Sequence, residues 1–237
     1  HGRYELHELV RQYAAAHLAI DEREKAATHT QHSDFYLGRL QQQCQALRTA
    51  QQAQVLADFI AEADTVRTAW RWLAAQGDGA RIRAASLAMI DVYDWLHWFQ
   101  EGDDIFGRAA AALTCTEGAP LGAALLGQGV FACRLGRYAA AQHLLAASIA
   151  HVQECEDAMF MVAARYWQAA VAYNRGDYGQ AHQWANESLL LAEQIGDAWR
   201  AHADARNLLA LIALAQGDYL AAEQMFQQVL RFLRNAG

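Results

Sequence analysis

Proline and lysine are almost absent from this sequence of 237 residues, which has Pro120 and Lys25 as its single members of each type. Because proline breaks helices more strongly than any other residue, its scarcity beside abundant alanine, leucine and glutamine predicts helix along nearly the whole chain. The sequence also lacks any run of about 18 apolar residues, so we expect no helix that spans a membrane.

The charge balance is acidic, with 26 Asp and Glu residues against 19 Lys and Arg and a net charge of -7. Because affinity for nucleic acids depends on neutralising phosphates, this balance argues against direct nucleic-acid binding. The cysteines form no CxxC pair, and their spacing fits neither a zinc site nor a disulfide framework. We therefore expect reduced cysteines in a cytoplasmic protein. The four are Cys44, Cys115, Cys133 and Cys155.

A short pattern of glycine, any residue and tyrosine, followed three residues later by alanine, occurs three times in the second half of the chain. Its glycines are 40 and 41 residues apart by subtraction. A period of this length predicts an array of helix pairs, with each glycine in the turn between paired helices. The copies are Leu135-Gly136-Arg137-Tyr138 with Ala141, Arg175-Gly176-Asp177-Tyr178 with Ala181, and Gln216-Gly217-Asp218-Tyr219 with Ala222.

The expected fold is all-α, a right-handed superhelix of antiparallel helix pairs. The cluster of Gly118, Pro120 and Gly122 divides three repeats over residues 119–237 from an irregular helical region over 21–118. Whether that region holds degenerate repeats is left open. Within this irregular region we predict helices over about 25–50, 53–75, 81–100 and 105–113, with a turn at 101–104. Within the array the predicted first helices are about 121–135, 158–175 and 198–216, and the second helices are about 138–155, 178–195 and 219–235.

The concave groove of such an array is the best candidate for a binding site, because the first helices of the pairs line it. Its predicted face mixes aromatic, amide and charged side chains, which suits recognition of a protein or peptide. A solvated face without a dedicated ligand is the alternative. The groove candidates are Arg134, Tyr166, Trp167, Tyr173, Asn174, Asp204 and Asn207.

Three clusters have residue types that bind metals, but none has enough ligands at a suitable spacing. The serines lie within predicted helices without a GxSxG motif, and no GxxxxGK[ST] phosphate loop occurs. We therefore expect no metal, no cofactor and no enzymatic activity. The clusters are His29 and His32 with Asp34, His151 with Cys155, and Glu101 with Asp103 and Asp104.

The repeat residues resemble the tetratricopeptide pattern, as in Gly129, Gly136, Tyr138 and Ala141 of the first copy. The usual tryptophan of the first helix is missing, and the period exceeds the standard of about 34 residues. In those departures the repeats look like the longer repeats of bacterial regulatory ATPases. The resemblance covers about residues 120–237 and implies a tetratricopeptide-like α-solenoid.

A second resemblance covers residues 3–75. Residues 3–14 look like the segment that closes a winged-helix domain in signal-transduction ATPases with numerous domains, and 32–37 and 65–72 are similar to the segments that follow it there. Thr65 stands where that family commonly has asparagine. The resemblance implies that residues 1–20 end a winged-helix domain, with Arg3-Tyr4-Glu5-Leu6 as a strand. Both ends of the chain look cut from a longer protein.

The function implied is that of a non-enzymatic sensor arm in a multidomain regulator, most often of transcription. A protein, a peptide or a small inducer would bind in the concave groove. The bound state would be passed to an upstream nucleotide-binding domain of the same parent chain. The alternative is a free-standing repeat scaffold for protein–protein interaction or oligomerisation.

Overall fold

The computed structural model describes residues 7–18, 20–113, 118–197 and 199–236, and these ranges consist of helices joined by short turns. The 3₁₀ segment Cys44–Arg48 follows the second helix, and the π-helical segment Arg200–Arg206 precedes the tenth. The α-helices of the described ranges are α1 (Glu8–Leu18), α2 (Glu22–Gln43), α3 (Gln52–Gln76), α4 (Gly79–Trp95), α5 (Phe99–Ala112), α6 (Ala119–Arg134), α7 (Tyr138–Glu154), α8 (Ala158–Asn174), α9 (Tyr178–Gln194), α10 (Asn207–Ala215) and α11 (Tyr219–Ala236).

Successive helices pack as antiparallel pairs, and the first helix of each pair packs against the first helix of the next. The pairs are α2 with α3, α4 with α5, α6 with α7, α8 with α9, and the π-helical segment and α10 with α11. This is the predicted all-α, right-handed superhelix of helix pairs. Among the described residues, no helix is long and apolar enough to cross a membrane.

The turn within a pair has one geometry in all three predicted repeats. Gly136, Gly176 and Gly217 have φ of 74°, 79° and 84°, the left-handed region that glycine enters without a steric penalty. The N–H of the residue after the glycine donates to a carbonyl five residues earlier, as from Arg137 to Ala132 at 2.8 Å. These bonds satisfy carbonyls that the end of the first helix leaves without a partner.

The same turn joins α4 to α5, although no glycine is present. His97 takes the left-handed conformation with φ of 58°, and the N–H of Trp98 donates to the carbonyl of Tyr93 at 3.0 Å. The turn therefore has the hydrogen bond of the later repeats, which shows that regular helix pairing extends into the first half of the chain. The domain division at residues 118 and 119 stays a prediction.

The predicted turn at residues 101–104 is wrong, because this segment lies inside α5. The predicted helix over 81–100 accordingly ends earlier, at Trp95. Gly102 is needed for close packing and not for a turn, since a Cβ there would lie 2.7 Å from the ring of Phe131 on α6. The helix predicted to reach Ala50 also ends early, at Gln43, where the 3₁₀ segment begins.

Two buried serines at equivalent repeat positions have equivalent roles. The hydroxyl of Ser148 on α7 donates to the carbonyl of Gly122 at 2.7 Å, and that of Ser188 on α9 donates to Val162 at 3.0 Å. Each bond ties a second helix to the first helix beside it. The predicted strand at residues 3–6 lies outside the described residues, as does Cys115.

Candidate ligand cavity on the concave face

A cavity of about 460 Å³ lies on the concave side of the superhelix. Its walls come from the C-terminal ends of α4 and α6, the middle of α8, the π-helical segment and the 3₁₀ segment. It therefore crosses the first helices obliquely, and we call it the concave cavity. Its charged and aromatic lining residues are Arg48, Arg134, Arg200, Asp91, Asp94, Asp204, Trp95, His97, Tyr166, Trp167 and Trp199.

Five of the seven predicted groove residues line this cavity, and two do not. Tyr173 and Asn174 lie about two turns further along α8, beyond the point where the oblique cavity crosses that helix. The ring of Tyr173 packs 5.9 Å from that of Tyr178, and the amide of Asn174 donates to the carbonyl of Ala170 at 2.7 Å. The five that line the cavity are Arg134, Tyr166, Trp167, Asp204 and Asn207. A binding role for any of them stays a prediction.

Arg134 is held in a fixed position on one wall. Its Nε and Nη2 donate to the two carboxylate oxygens of Asp94 at 2.6 Å each, a bidentate pair that joins α6 to α4. Its guanidinium also lies over the ring of Trp167, 4.8 Å from the centroid. These contacts use both the charge and the plane of Arg134, so its role is to shape the wall.

Arg48 closes the cavity from the 3₁₀ segment and was not predicted from the sequence. Its Nη2 lies 3.5 Å from a carboxylate oxygen of Asp91 on α4, and its Nη1 lies 3.7 Å from one of Asp197, which precedes the π-helical segment. Its guanidinium is 5.8 Å from the centroid of Trp199. The first and the last helix pair thus meet at Arg48.

Arg200 is the most enclosed charge of the cavity, with 6% of its surface exposed. Its Nε is buried without a hydrogen-bond partner among the described residues. The nearest carboxylate oxygens are those of Asp197, 3.4 Å from Nε, and Asp204, 3.9 Å from Nη1. The guanidinium therefore has ion pairs but no hydrogen bond among the described residues, and its buried Nε–H is unsatisfied.

The first helix of the last pair is one residue longer than its equivalent in the preceding pair, and the π-helical segment accommodates the extra residue. The left-handed turn residues Gly196 and Gly217 are 21 apart by subtraction, whereas Glu156 and Gly176 are 20 apart. A wider π-helical stretch absorbs one extra residue without moving the turns at either end, and such stretches are frequent at functional sites. The insertion falls where Arg200, Ala203 and Asp204 enter the cavity.

Burial controls the ionisation of the groups around Arg200. It raises the pKa of Asp204 to about 6, because desolvation of the carboxylate outweighs the attraction of Arg200 and the nearby charge of Asp91 adds to the rise. Burial also raises the pKa of Tyr166, and the charge of Asp204 adds to that rise. Asp204 therefore changes its charge closer to neutral pH than an ordinary aspartate does.

The cysteines near the cavity are poor nucleophiles. Burial raises the pKa of Cys44 to about 12 and that of Cys133 to about 11, so both are neutral thiols near pH 7. The thiol of Cys44 donates to Asp91 at 3.5 Å. These thiols therefore pack as small neutral groups beside the cavity.

The clusters considered as metal ligands have other partners. The ring of His29 stacks on Trp72 with centroids 4.4 Å apart, and Asp34 accepts from Arg81. Each residue of the acidic cluster at 101–104 forms an ion pair with an arginine: Glu101 with Arg67, Asp103 with Arg137 and Asp104 with Arg108. In the part of the chain that the structure describes, no group of three or more His, Cys, Asp or Glu residues could hold a metal ion.

A second hollow, of about 270 Å³, lies between α3 and α5 and is mostly apolar. Trp70 closes its floor, with its indole N–H donating to the carbonyl of Ile105 at 3.2 Å. Its polar lining consists of Arg71 and Arg108 at the rim. It lacks the converging polar groups of the concave cavity, which is therefore the stronger candidate site.

A family comparison supports the repeat architecture from α8 to α11. A family model described as tetratricopeptide repeat matches residues 160–235, from α8 to α11. The chain contains a tetratricopeptide repeat region. No curated protein matches the chain significantly. A solved structure of kinesin light chain nearly identical TPR-like repeats from Podosopora anserina aligns with a TM-score of 0.49 and 15% identity, covering 84% of this chain and 96% of that one.

Tetratricopeptide repeats form a scaffold for protein–protein interaction, and their fold is typically non-catalytic. The matched region includes the π-helical segment and the residues of α8 that line the concave cavity. The chain is thus an interaction scaffold whose repeats enclose a polar and aromatic cavity.

Proposed function

We propose that this chain is the ligand-binding sensor module of a multidomain regulatory ATPase and that its effector binds in the concave cavity. The supporting observation is a set of polar groups that converge on one aromatic-walled space. Arg200, Asp204, Asn207 and Tyr166 line that space, and their side chains form no hydrogen bond with any described residue. Ligand sites characteristically combine an apolar wall with a few such polar groups.

The position of the cavity supports a sensing role. Arg48 and Asp197 bring the first and the last helix pair together at its edge, so a bound molecule would contact both ends of the superhelix. Elsewhere in the described residues the helices of each pair pack only against those of neighbouring pairs. A further side-chain contact that skips a pair is that of Arg83 on α4 with Asp157 and Phe160 at the start of α8. A ligand that favours one spacing of the two ends would therefore shift the curvature of the whole array.

The first helix supports attachment to a further domain. On α1 the side chains of Leu9, Val10 and Tyr13 are 68%, 50% and 69% exposed, which leaves its apolar residues uncovered. Uncovered apolar surfaces commonly mark a contact with another protein surface. Together with the resemblance of residues 3–14 to the end of a winged-helix domain, this favours a regulator of transcription as the parent.

A free-standing scaffold is the second candidate. On α11 the side chains of Tyr219, Leu220 and Leu230 are exposed, at 70%, 67% and 50%. This second helix of the last pair therefore offers an apolar surface to another protein or to a second copy. In that reading the concave cavity would have no ligand.

The test is a thermal-shift screen of amino acids, sugars, nucleotides and organic acids against the chain and two variants of Ala203. Ala203 lines the cavity, so Ala203→Trp fills it, whereas Ala203→Ser leaves it open and serves as the matched control. We expect at least one compound that raises the Tm of the wild type and of Ala203→Ser but not of Ala203→Trp. That compound should also change the ATPase rate of the full-length parent.

If no compound in these classes raises the Tm, or if the shift survives in Ala203→Trp, the sensor function is wrong and the scaffold is favoured. Sedimentation of the parent protein then becomes the informative measurement. A dimer that is lost in Leu220→Asp and Leu230→Asp would support the α11 surface.

A further inference from the structure

Two opposite charges in the concave cavity face each other without hydrogen bonds. Arg200 Nη1 and Asp204 Oδ2 are 3.9 Å apart, too far for a direct hydrogen bond. Within the described residues, neither the guanidinium of Arg200 nor the carboxylate of Asp204 has a hydrogen-bond partner. Arg200 is buried and its Nε is unsatisfied, whereas the side chain of Asp204 is 28% exposed. An unsatisfied buried charged group is unfavourable, so a ligand that bonds the guanidinium and also reaches the carboxylate would gain affinity.

The other arginines and aspartates that line the cavity are already matched in pairs. Arg134 holds Asp94 in a bidentate pair, and Arg48 lies beside Asp91. Arg200 is also ion-paired, with Asp197 at 3.4 Å and with Asp204 at 3.9 Å. Among the described residues its guanidinium and the carboxylate of Asp204 nevertheless make no hydrogen bond, so they remain as one donor group and one acceptor group. A ligand with a single net charge would satisfy one of them and be repelled by the other, whereas a neutral ligand with both charges would match both.

The spacing of the two groups limits how far apart the ligand charges can be. Arg200 and Asp204 are one helical turn apart on the same segment, and both side chains line the same space. A ligand that bridges them must have its anionic and cationic groups on neighbouring atoms. In a free α-amino acid, the carboxylate and the ammonium are bonded to one carbon.

We propose that the concave cavity binds a free α-amino acid, with its carboxylate on the guanidinium of Arg200 and its ammonium on the carboxylate of Asp204. The inference rests on the proposed function of the cavity as an effector site and names the effector class. The guanidinium donates two parallel N–H bonds to a carboxylate, and the carboxylate of Asp204 accepts from the ammonium.

The walls favour an apolar or aromatic side chain on that amino acid. Tyr166, Trp167 and Trp199 border the cavity, and burying a side chain against such rings is favourable. The volume of about 460 Å³ is within the range of sites for small organic ligands. A residue within a peptide is a poorer match, because it has neither free charge, and each terminus of a peptide has only one.

Calorimetric titration of the chain with the twenty L-amino acids tests the proposal. The tightest of them is then compared with its decarboxylated amine, with the carboxylic acid that lacks its amino group, and with its N-acetyl amide. We expect each analogue to bind at least about tenfold more weakly, because each loses a charge-assisted hydrogen bond. Equal affinity for the amino acid and either singly charged analogue would overturn the proposal.

Asp204→Asn separates the two contacts while keeping the size of the side chain. We expect its affinity for the amino acid to fall about tenfold, while its affinity for the acid without an amino group does not fall. Asp104→Asn is the matched control, because Asp104 lies on α5 in an exposed pair with Arg108. Arg200→Lys, which keeps the charge but loses the planar fork, should weaken both ligands. Its melting curve shows whether it is folded, and if it is not, Asp204→Asn alone decides.

The result also distinguishes this inference from the proposed function. If no amino acid binds but another compound shifts the Tm in a manner that Ala203→Trp abolishes, the amino-acid assignment is wrong and the effector site stands. If nothing binds in the cavity, both are wrong. Binding of an amino acid that Ala203→Trp leaves unchanged overturns this inference, because the site would lie elsewhere.

Discussion

Arg48 and Asp197 approach to 3.7 Å although they belong to the first and the last helix pair of the superhelix. Arg48 also lies beside Asp91 and the ring of Trp199. The contact closes one side of the concave cavity and links the two ends of the array directly.

Replacing Arg48 by alanine should lower the free energy of unfolding by about 1–3 kcal/mol, because it removes the cation beside Asp91 and one of the two cations beside Asp197, both partly buried carboxylates. Urea denaturation measures the change. Arg108→Ala is the matched control, since Arg108 forms an exposed pair with Asp104 on one helix and should change stability by less than about 0.5 kcal/mol. Equal losses in the two variants would show that Arg48 contributes no link between the ends.

Glu156 and Gly196 offer a reciprocal test of the turns between helix pairs. Both are left-handed, with φ of 52° and 74°, and both donate their N–H to the carbonyl three residues earlier. Glu156→Gly should raise the free energy of unfolding by about 0.5–1 kcal/mol, and Gly196→Ala should lower it by about 1 kcal/mol. Denaturant titration of both variants measures this, and changes of the same sign would contradict the common turn geometry.

Gly127 and Gly38 differ in the space around them. A Cβ at Gly127 would overlap the ring of Phe106, whereas one at Gly38, inside α2, would meet nothing within 4 Å. Gly127→Ala should therefore destabilise the protein by about 1–3 kcal/mol. Gly38→Ala should stabilise it by about 0.5–1 kcal/mol, since alanine is the better helix former. Thermal unfolding compares the two, and a harmless Gly127→Ala would contradict the close packing of α5 on α6.

Asp204 should make stability depend on pH in an identifiable way. Its pKa of about 6 in the folded protein is above that of an unfolded aspartate, so its ionisation destabilises the fold progressively as pH rises from about 4 through 6. The charges that face it are Arg200 on its own segment, Arg48 on the 3₁₀ segment, Asp91 on α4, and Asp197.

The measurement is the Tm of Asp204→Asn minus that of the wild type, from pH 4 to pH 8. The variant cannot ionise at this position, so the difference should increase through pH 6 in favour of the variant and level off above it. A difference that does not change with pH would show that Asp204 titrates normally.

The repeats were predictable because their signal is local. A left-handed turn selects glycine, so Gly136, Gly176 and Gly217 indicate the turns directly. The turn at His97 has no such signal, because a histidine rarely has positive φ. The prediction failed at Gly102 for the opposite reason: this glycine is required by the approach of Phe131, a contact between helices that no local pattern shows.

The helical period predicted which face of each helix lines the candidate site, but it did not predict where along the helix the site begins or ends. Tyr166 and Trp167 lie on the correct face of α8, but the period alone could not show that the cavity leaves α8 before Tyr173 and Asn174. The position of Arg48 in the cavity depends on the curvature of the whole superhelix, which brings the first helix pair close to the last. The position of Arg200 in the cavity depends on the π-helical segment. The extra residue of that segment is visible in the sequence as a glycine spacing of 41 residues in place of 40.

The one-residue insertion in the π-helical segment shows how similar repeats can acquire different roles. Deleting one residue from Arg200–Arg206 would restore the repeat length of the preceding pair and leave both flanking turns in place. It would also rotate one end of the segment relative to the other by about 100°, separating Arg200 from Asn207 on the helix surface. The insertion or deletion of a single codon can therefore change which side chains a repeat presents to the cavity, while the position of that repeat in the array is preserved.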